Sequence, residues 1–198
     1  QDSRALHGFS DQQPLLVLMP GSRRSEVRLL LPAMLAAAKI LRADGWQVAL
    51  LKAPTIDQAY LDQIHGALPF PVPVVEGDAY NVIAAADAGV IASGTATLEA
   101  ALLGCPHVIL YRFSFLTYLL IKLVIGRRIM GLPNVILGRS FFPELLQREV
   151  TAGNIVRGVR EMAGNRQGCL RAVQDLRQAM GDSGASERAA EELARLMA

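Results

Sequence analysis

The chain has 198 residues, with 20 Lys and Arg against 18 Asp and Glu, 52% hydrophobic residues and a formal net charge of +2. Hydrophobicity this high with so little net charge excludes a disordered chain, which has the opposite balance. Cys105 and Cys169 are the 2 cysteines and lack CxxC spacing, which argues against a disulfide scaffold and a cysteine zinc site and makes a reducing, cytoplasmic setting the expectation.

In chain order, Gln1-Asp2-Ser3-Arg4 leads into no apolar signal segment. The polar stretch 1–14 is expected to be a linker or the remnant of an upstream domain. Leu15 to Met19 is a short apolar run stopped by Pro20-Gly21, the pattern of a buried parallel strand. Leu29 to Leu41 repeats apolar residues at helical spacing and is closed by Ala43-Asp44-Gly45. Strands are then expected at 46–51, 72–75, 88–92 and 106–111, with helices at 57–68, 80–86 and 95–103 between them. Alternation of this kind implies right-handed βαβ units and a parallel sheet covered on both faces. The expected fold class is α/β, a doubly wound Rossmann-like domain over 15–180. A Gly/Pro-rich loop is expected around Gly131-Leu132-Pro133-Asn134, helical sequence from Pro143 onward, and a separate helical tail over 181–198.

Ligands of such sheets bind at the carboxyl ends of the strands, so the loops that follow strands carry the chemistry. The first is Pro20-Gly21-Ser22-Arg23-Arg24-Ser25-Glu26. Backbone N–H groups at a helix start favour an anion, and guanidinium groups grip phosphate oxygens. An ordinary strand-to-helix turn with solvated arginines explains the same residues. The second is Ser93-Gly94-Thr95-Ala96-Thr97-Leu98-Glu99. Gly94 lets a ligand approach the backbone, Ser93 and Thr95 add hydroxyl donors, and Glu99 one turn later could accept from a ribose diol. A capping box on Thr95 is the competing explanation, but it would need the carboxylate at Leu98, one residue earlier than Glu99. Neither loop has Walker or GxGxxG spacing. Asn134 presents an amide after a Pro-fixed turn, or is simply a turn residue. His107 lies in an apolar strand pattern and reads as structural; Asp87 reads as a helix-to-strand junction.

Charge is unevenly placed. Residues 100–143 hold Arg112, Lys122, Arg127, Arg128 and Arg139 and none of the 18 acidic residues, a segment charge of +5, while the remainder (15 basic against 18 acidic) is at −3. Between those charges lies the apolar run from Phe113 to Ile125, too interrupted to span a bilayer. A bulky aliphatic stretch rimmed by cations suits an anionic lipid surface; a buried helix with basic ends is the alternative. Nucleic acid is not expected, because its sites want polar, exposed flanks.

Together, Leu18-Met-Pro-Gly-Ser-Arg-Arg-Ser-Glu-Val27, Ala92-Ser-Gly-Thr-Ala-Thr-Leu-Glu99, Tyr111-Arg112, Leu132-Pro-Asn134 and Pro143-Glu-Leu-Leu-Gln147 resemble the carboxyl half of the lipid-A-disaccharide synthase family. Gly184-Ala-Ser-Glu-Arg-Ala-Ala190 is similar to that family's tail. The resemblance implies the C-terminal half of a two-domain, GT-B type inverting glycosyltransferase. It implies transfer of 2,3-diacylglucosamine from UDP-2,3-diacylglucosamine to 2,3-diacylglucosamine 1-phosphate, without metal or cofactor. By the match, Gly21, Ser22, Arg23, Ser93, Gly94 and Thr95 would serve the phosphates, with Arg23 stabilising charge on the departing UDP. Glu99 would take the ribose and Asn134 would stand near the nucleotide-sugar. Tyr111, Arg112, Glu144 and Gln147 are additional candidates, and Arg112, Lys122, Arg127 and Arg128 would face the membrane. The family's amino-terminal half, with its general base, does not match any of these residues, so the chain alone is expected to bind UDP without turnover. A peripheral position on the inner face of the inner membrane and a homodimer through the C-terminal helices are further expectations. Another UDP-sugar enzyme half, such as a murein N-acetylglucosaminyltransferase or a UDP-N-acetylglucosamine epimerase, and a non-catalytic binding or dimerisation domain are the rival readings.

Overall fold

The computed structural model describes residues 3–65, 70–112 and 129–181, with residues 190 and 195 isolated beyond them. Its centre is a parallel six-stranded sheet: β1 (Leu15–Met19), β2 (Gln47–Leu51), β3 (Val74–Val75), β4 (Ala88–Ala92), β5 (His107–Tyr111) and β6 (Glu144–Leu146), in the order β3-β2-β1-β4-β5-β6. The helices are α1 (Ser3–Leu6), α2 (Arg24–Ala43), α3 (Gln58–His65), α4 (Ala79–Ala85), α5 (Thr95–Leu102), α6 (Leu132–Leu137), α7 (Ala152–Gly164) and α8 (Arg166–Met180).

The continuous apolar runs form central strands because both faces of each are covered. Along β1 the side chains alternate: Leu16 and Leu18 enter one core cluster with α2 and α7, while Leu15 and Val17 enter the other with α4 and α5. Further along, Ile109 and Tyr111 of β5 meet Phe142 and the α8 residues Cys169 and Leu176 in a third cluster. Gly89 of β4 packs closely, since a Cβ there would lie 3.2 Å from His107 Cβ and 3.3 Å from Val17 Cγ2.

Four expectations need correction. First, α2 begins at Arg24 rather than Leu29, with the Glu26 carboxylate reaching back to Ser22 N and to the N-cap Arg23 N, and it runs through Pro32. Second, the Gly131 to Asn134 stretch is the start of a short helix, with Pro133 in its first turn where a missing N–H costs nothing. Third, Glu144–Leu146 is not helical; it pairs with Ile109 to Tyr111 as the edge strand. Fourth, the residues before Leu15 are docked on the domain. Arg4 donates to Ala85 O at 2.7 Å and to Asp87 Oδ2 at 2.6 Å, the same oxygen that accepts Leu15 N, and His7 Nε2 lies 2.7 Å from Asp78. Asp87 is therefore an anchor for that segment. The tail over 181–198 lies almost entirely outside the described residues, and among these no helix is long and apolar enough to cross a membrane.

His107 is structural, as its apolar setting implies. It is fully buried, Nδ1 donates to Cys105 O at 2.9 Å, and the ring stacks on Phe142 at 4.2 Å. Burial pushes its pKa from 6.5 down to about 4. Between those two values the unfolded chain holds a proton that the folded chain refuses. Stability therefore falls as pH drops from about 6.5 to about 4, by a full contribution of about 3 kcal/mol. Urea unfolding across that window should show this slope in the wild type and a slope shallower by one proton in His107→Gln.

Candidate functional site

The strand order reverses between β1 and β4, which pair in parallel with Met19 opposite Ile91. In an open α/β sheet the crevice at that reversal, beyond the carboxyl ends of the strands, is where ligands bind. Gly21 and Ser93 each lie two residues beyond this last pair. Both sequence-predicted loops are thus brought to one place.

They differ in what they leave open. In the loop after β1, the Glu26 carboxylate accepts from Ser22 N at 3.1 Å, Arg23 N at 3.3 Å and Arg23 Nη1 at 2.7 Å. The two backbone donors just ahead of α2 are therefore taken by the chain's own carboxylate. The loop's remaining asset is the Arg23 side chain, 76% exposed. Arg24 is committed elsewhere, paired with Asp57 and stacked 5.0 Å over Tyr60.

The loop after β4 has no such plug. Ser93 N continues the ladder to Leu110 O at 2.9 Å, which fixes the backbone where the strand ends. Gly94 is the N-cap of α5, has no side chain to satisfy the first N–H groups, and has open space where a Cβ would stand. Thr97 ties the first turn together in a way the sequence reading missed: its Oγ1 donates to Gly94 O at 2.7 Å and its N to the same oxygen at 3.2 Å, which leaves the first N–H groups of the helix uncovered. A Thr three residues after the glycine was the available signal. Gly94 and Thr95 are exposed, Ser93 is half-buried, and the half-buried Glu99 stands on the Thr95 face one turn on. This geometry offers two convergent backbone donors, two hydroxyls, the positive end of a helix dipole and one carboxylate, a set suited to a phosphate with a diol beside it.

Behind the loops lies a braced polar cluster. Glu144 accepts from Met130 N at 3.1 Å, Gly131 N at 3.0 Å and Asn134 Nδ2 at 2.8 Å. Asn134 is fully buried: Nδ2 also donates to Phe142 O at 2.7 Å, and Oδ1 accepts from Phe141 N and Phe142 N. The amide is consumed in holding the segment that becomes β6, and Glu144 shares that work. The Tyr111 phenol is packed between the Ser93 hydroxyl and the Glu144 carboxylate; burial raises its pKa, the Ser93 contact opposes this and Glu144 adds to it. Tyr111 thereby links the brace to the β4 loop. Arg112 Nη1 donates to Leu29 O at 3.1 Å, tying the end of β5 to α2. Gln147, just beyond β6, holds a left-handed φ of 52°, sparsely populated for a residue with a side chain. Lys122, Arg127 and Arg128 lie outside the described residues. Burial raises the thiols of Cys105 to about 12 and Cys169 to about 11, so neither is a ready nucleophile.

Comparison with known proteins accords with this geometry. The family model described as lipid-A-disaccharide synthetase matches residues 1–197. The lipid-A-disaccharide synthase of Myxococcus xanthus is 41% identical over 196 residues, 96% of this chain and 51% of the relative. That of Syntrophus aciditrophicus is 39% identical over 191 residues, 93% of this chain and 50% of the relative. The chain thus spans about half the length of the curated relatives it matches. Among solved structures, a spinosyn rhamnosyltransferase is similar with a TM-score of 0.63 at 14% identity, over 94% of this chain and 47% of that one, a likeness in fold.

Proposed function

The chain belongs to the lipid-A-disaccharide synthetase family, and from that premise we propose that it is the donor-nucleotide-binding half of an inverting glycosyltransferase. The reaction proposed moves 2,3-diacylglucosamine from UDP to 2,3-diacylglucosamine 1-phosphate. One observation carries the reading: the loops after β1 and β4, both with phosphate-binding character, start together at the β1/β4 reversal, and the α5 start there is open.

In such a transfer an acceptor hydroxyl forms a bond to the anomeric carbon as the bond from that carbon to the diphosphate breaks. Negative charge then grows on the departing UDP. The residues of this chain act on that leaving group. Ser93, Thr95 and the N–H groups of Thr95 and Ala96 receive the diphosphate at the α5 dipole, and Arg23 adds a full positive charge that strengthens its hold as the phosphate charge grows. Glu99 accepts from the ribose hydroxyls. Gly94 keeps the approach clear. Gly21 and Ser22 shape the turn that carries Arg23.

Occupancy of this site should stabilise the fold. At about 100-fold excess over Kd, UDP adds about 2.7 kcal/mol, or roughly 5–10 °C in Tm for a domain of this size. Differential scanning should show that shift for the wild type and lose it in Arg23→Ala and in Glu99→Ala. A well-folded wild type unmoved by millimolar UDP would remove the nucleotide assignment.

The lipid substrates also explain the basic, aliphatic segment. We assign Arg112, Lys122, Arg127 and Arg128 to an anionic membrane surface on the cytoplasmic side of the inner membrane, where each cation near the surface contributes about 1 kcal/mol. Sedimentation with vesicles containing anionic phospholipid should retain the wild type and release Lys122→Glu/Arg128→Glu. Equal retention of both would discard the membrane assignment. A homodimer through the C-terminal helices is part of the same proposal, and its mass in solution reads it directly.

A further inference from the structure

The turn after β1 is built around one carboxylate. Glu26 Oε2 bridges Ser22 N and Arg23 N, and Oε1 holds Arg23 Nη1. Gly21, at φ 112°, makes room for it: a Cβ there would lie 2.3 Å from Glu26 Oε2 and 2.8 Å from Glu26 Cβ. The other side of the turn is pinned by the neighbouring loop. Thr55 Oγ1 donates to Ser22 O at 2.6 Å and Tyr60 OH donates to Arg24 O at 2.9 Å. With Arg24 drawn to Asp57, the described contacts leave Arg23 as the cation of this turn not committed to another loop.

We infer that Glu26 is a positioning residue for the diphosphate: it occupies the Ser22 and Arg23 N–H groups just ahead of α2 and fixes the Arg23 guanidinium as a pre-oriented cation at the β1/β4 reversal. The inference rests on the nucleotide-binding reading above. A guanidinium has five N–H donors in a rigid plane, so holding it through Nη1 orients the others without consuming them. The same carboxylate occupies the two backbone donors that would otherwise compete with the α5 N-terminus for the phosphates. Ligand binding then avoids most of the ordering that a free arginine side chain requires.

The test is a double-mutant cycle on the 198-residue chain, with UDP as the probe and calorimetric Kd as the readout. Wild type, Glu26→Gln, Arg23→Ala and the double variant are compared, each checked for a cooperative melt. Glu26→Gln should weaken UDP by about 3- to 10-fold, the range that ordering one long side chain supplies. In the Arg23→Ala background the same change should alter Kd by less than about 1.5-fold, because Glu26 acts through Arg23. Gly21→Ala, which evicts the carboxylate but keeps its charge, should reproduce the loss and serves in the cycle if Glu26→Gln melts too low. Tighter UDP binding by Glu26→Gln would show the carboxylate to be a competitor of the phosphate and overturn the inference. An equal cost with and without Arg23 would overturn it too, as a purely structural effect. Wild-type affinity in Arg23→Ala is a separate failure: it removes the nucleotide reading itself, and this inference with it.

Discussion

The structure depends on the close parallel packing of β1 against β4 at the point where strand order reverses. Both strands are buried on both faces, and at Gly89 the neighbours His107 Cβ and Val17 Cγ2 crowd the space that a side chain would take. From this seam α2 packs on one face of the sheet and α5 belongs to the other. Chains that leave adjacent strands toward opposite faces must part, and the parting opens a crevice between their loops. Everything assigned to ligand binding follows from that divergence.

Within the crevice, electrostatics divide the work. Two helix starts face it, and each would attract an anion. At one, Glu26 takes the Ser22 and Arg23 N–H groups just ahead of the helix and leaves a side-chain cation at that loop. At the other, Thr97 donates back to the carbonyl of the N-cap Gly94, and no side chain covers the first N–H groups of α5. A single anion therefore meets backbone donors on one side and a guanidinium on the other. The cluster of Glu144 and Asn134 holds Met130, Gly131 and Phe142, and Tyr111 sits beside Ser93 of the β4 loop.

Much of this was legible in the sequence because buried parallel strands write themselves as short apolar runs. The observed β1, β2, β4 and β5 begin and end within one residue of the expected spans, and the two loops were recognisable from Gly, Ser, Thr and Arg placed directly after strands. What the sequence does not display is the set of partners of Asn134, Glu144 and Asp87, which are distant in sequence or are backbone atoms. The burial of Asn134 in particular was not legible, because a polar side chain in a Pro-containing turn is usually solvated. The start of α2 was placed late because apolar periodicity begins only at Leu29, whereas the capping carboxylate acts a turn earlier. β6 was missed because three half-buried residues carry no period of their own and depend on β5 for their conformation.

The central claim is that the two loops are unequal: Glu26 takes the Ser22 and Arg23 amides, while the first amides of α5 are open to the phosphates of a nucleotide. Backbone amide shifts measured by NMR during a UDP titration test it most directly. The account predicts large, saturable changes at the Thr95 and Ala96 amides with much smaller ones at Ser22 and Arg23. Changes centred on the Ser22 and Arg23 amides, with Thr95 and Ala96 unmoved, would contradict it.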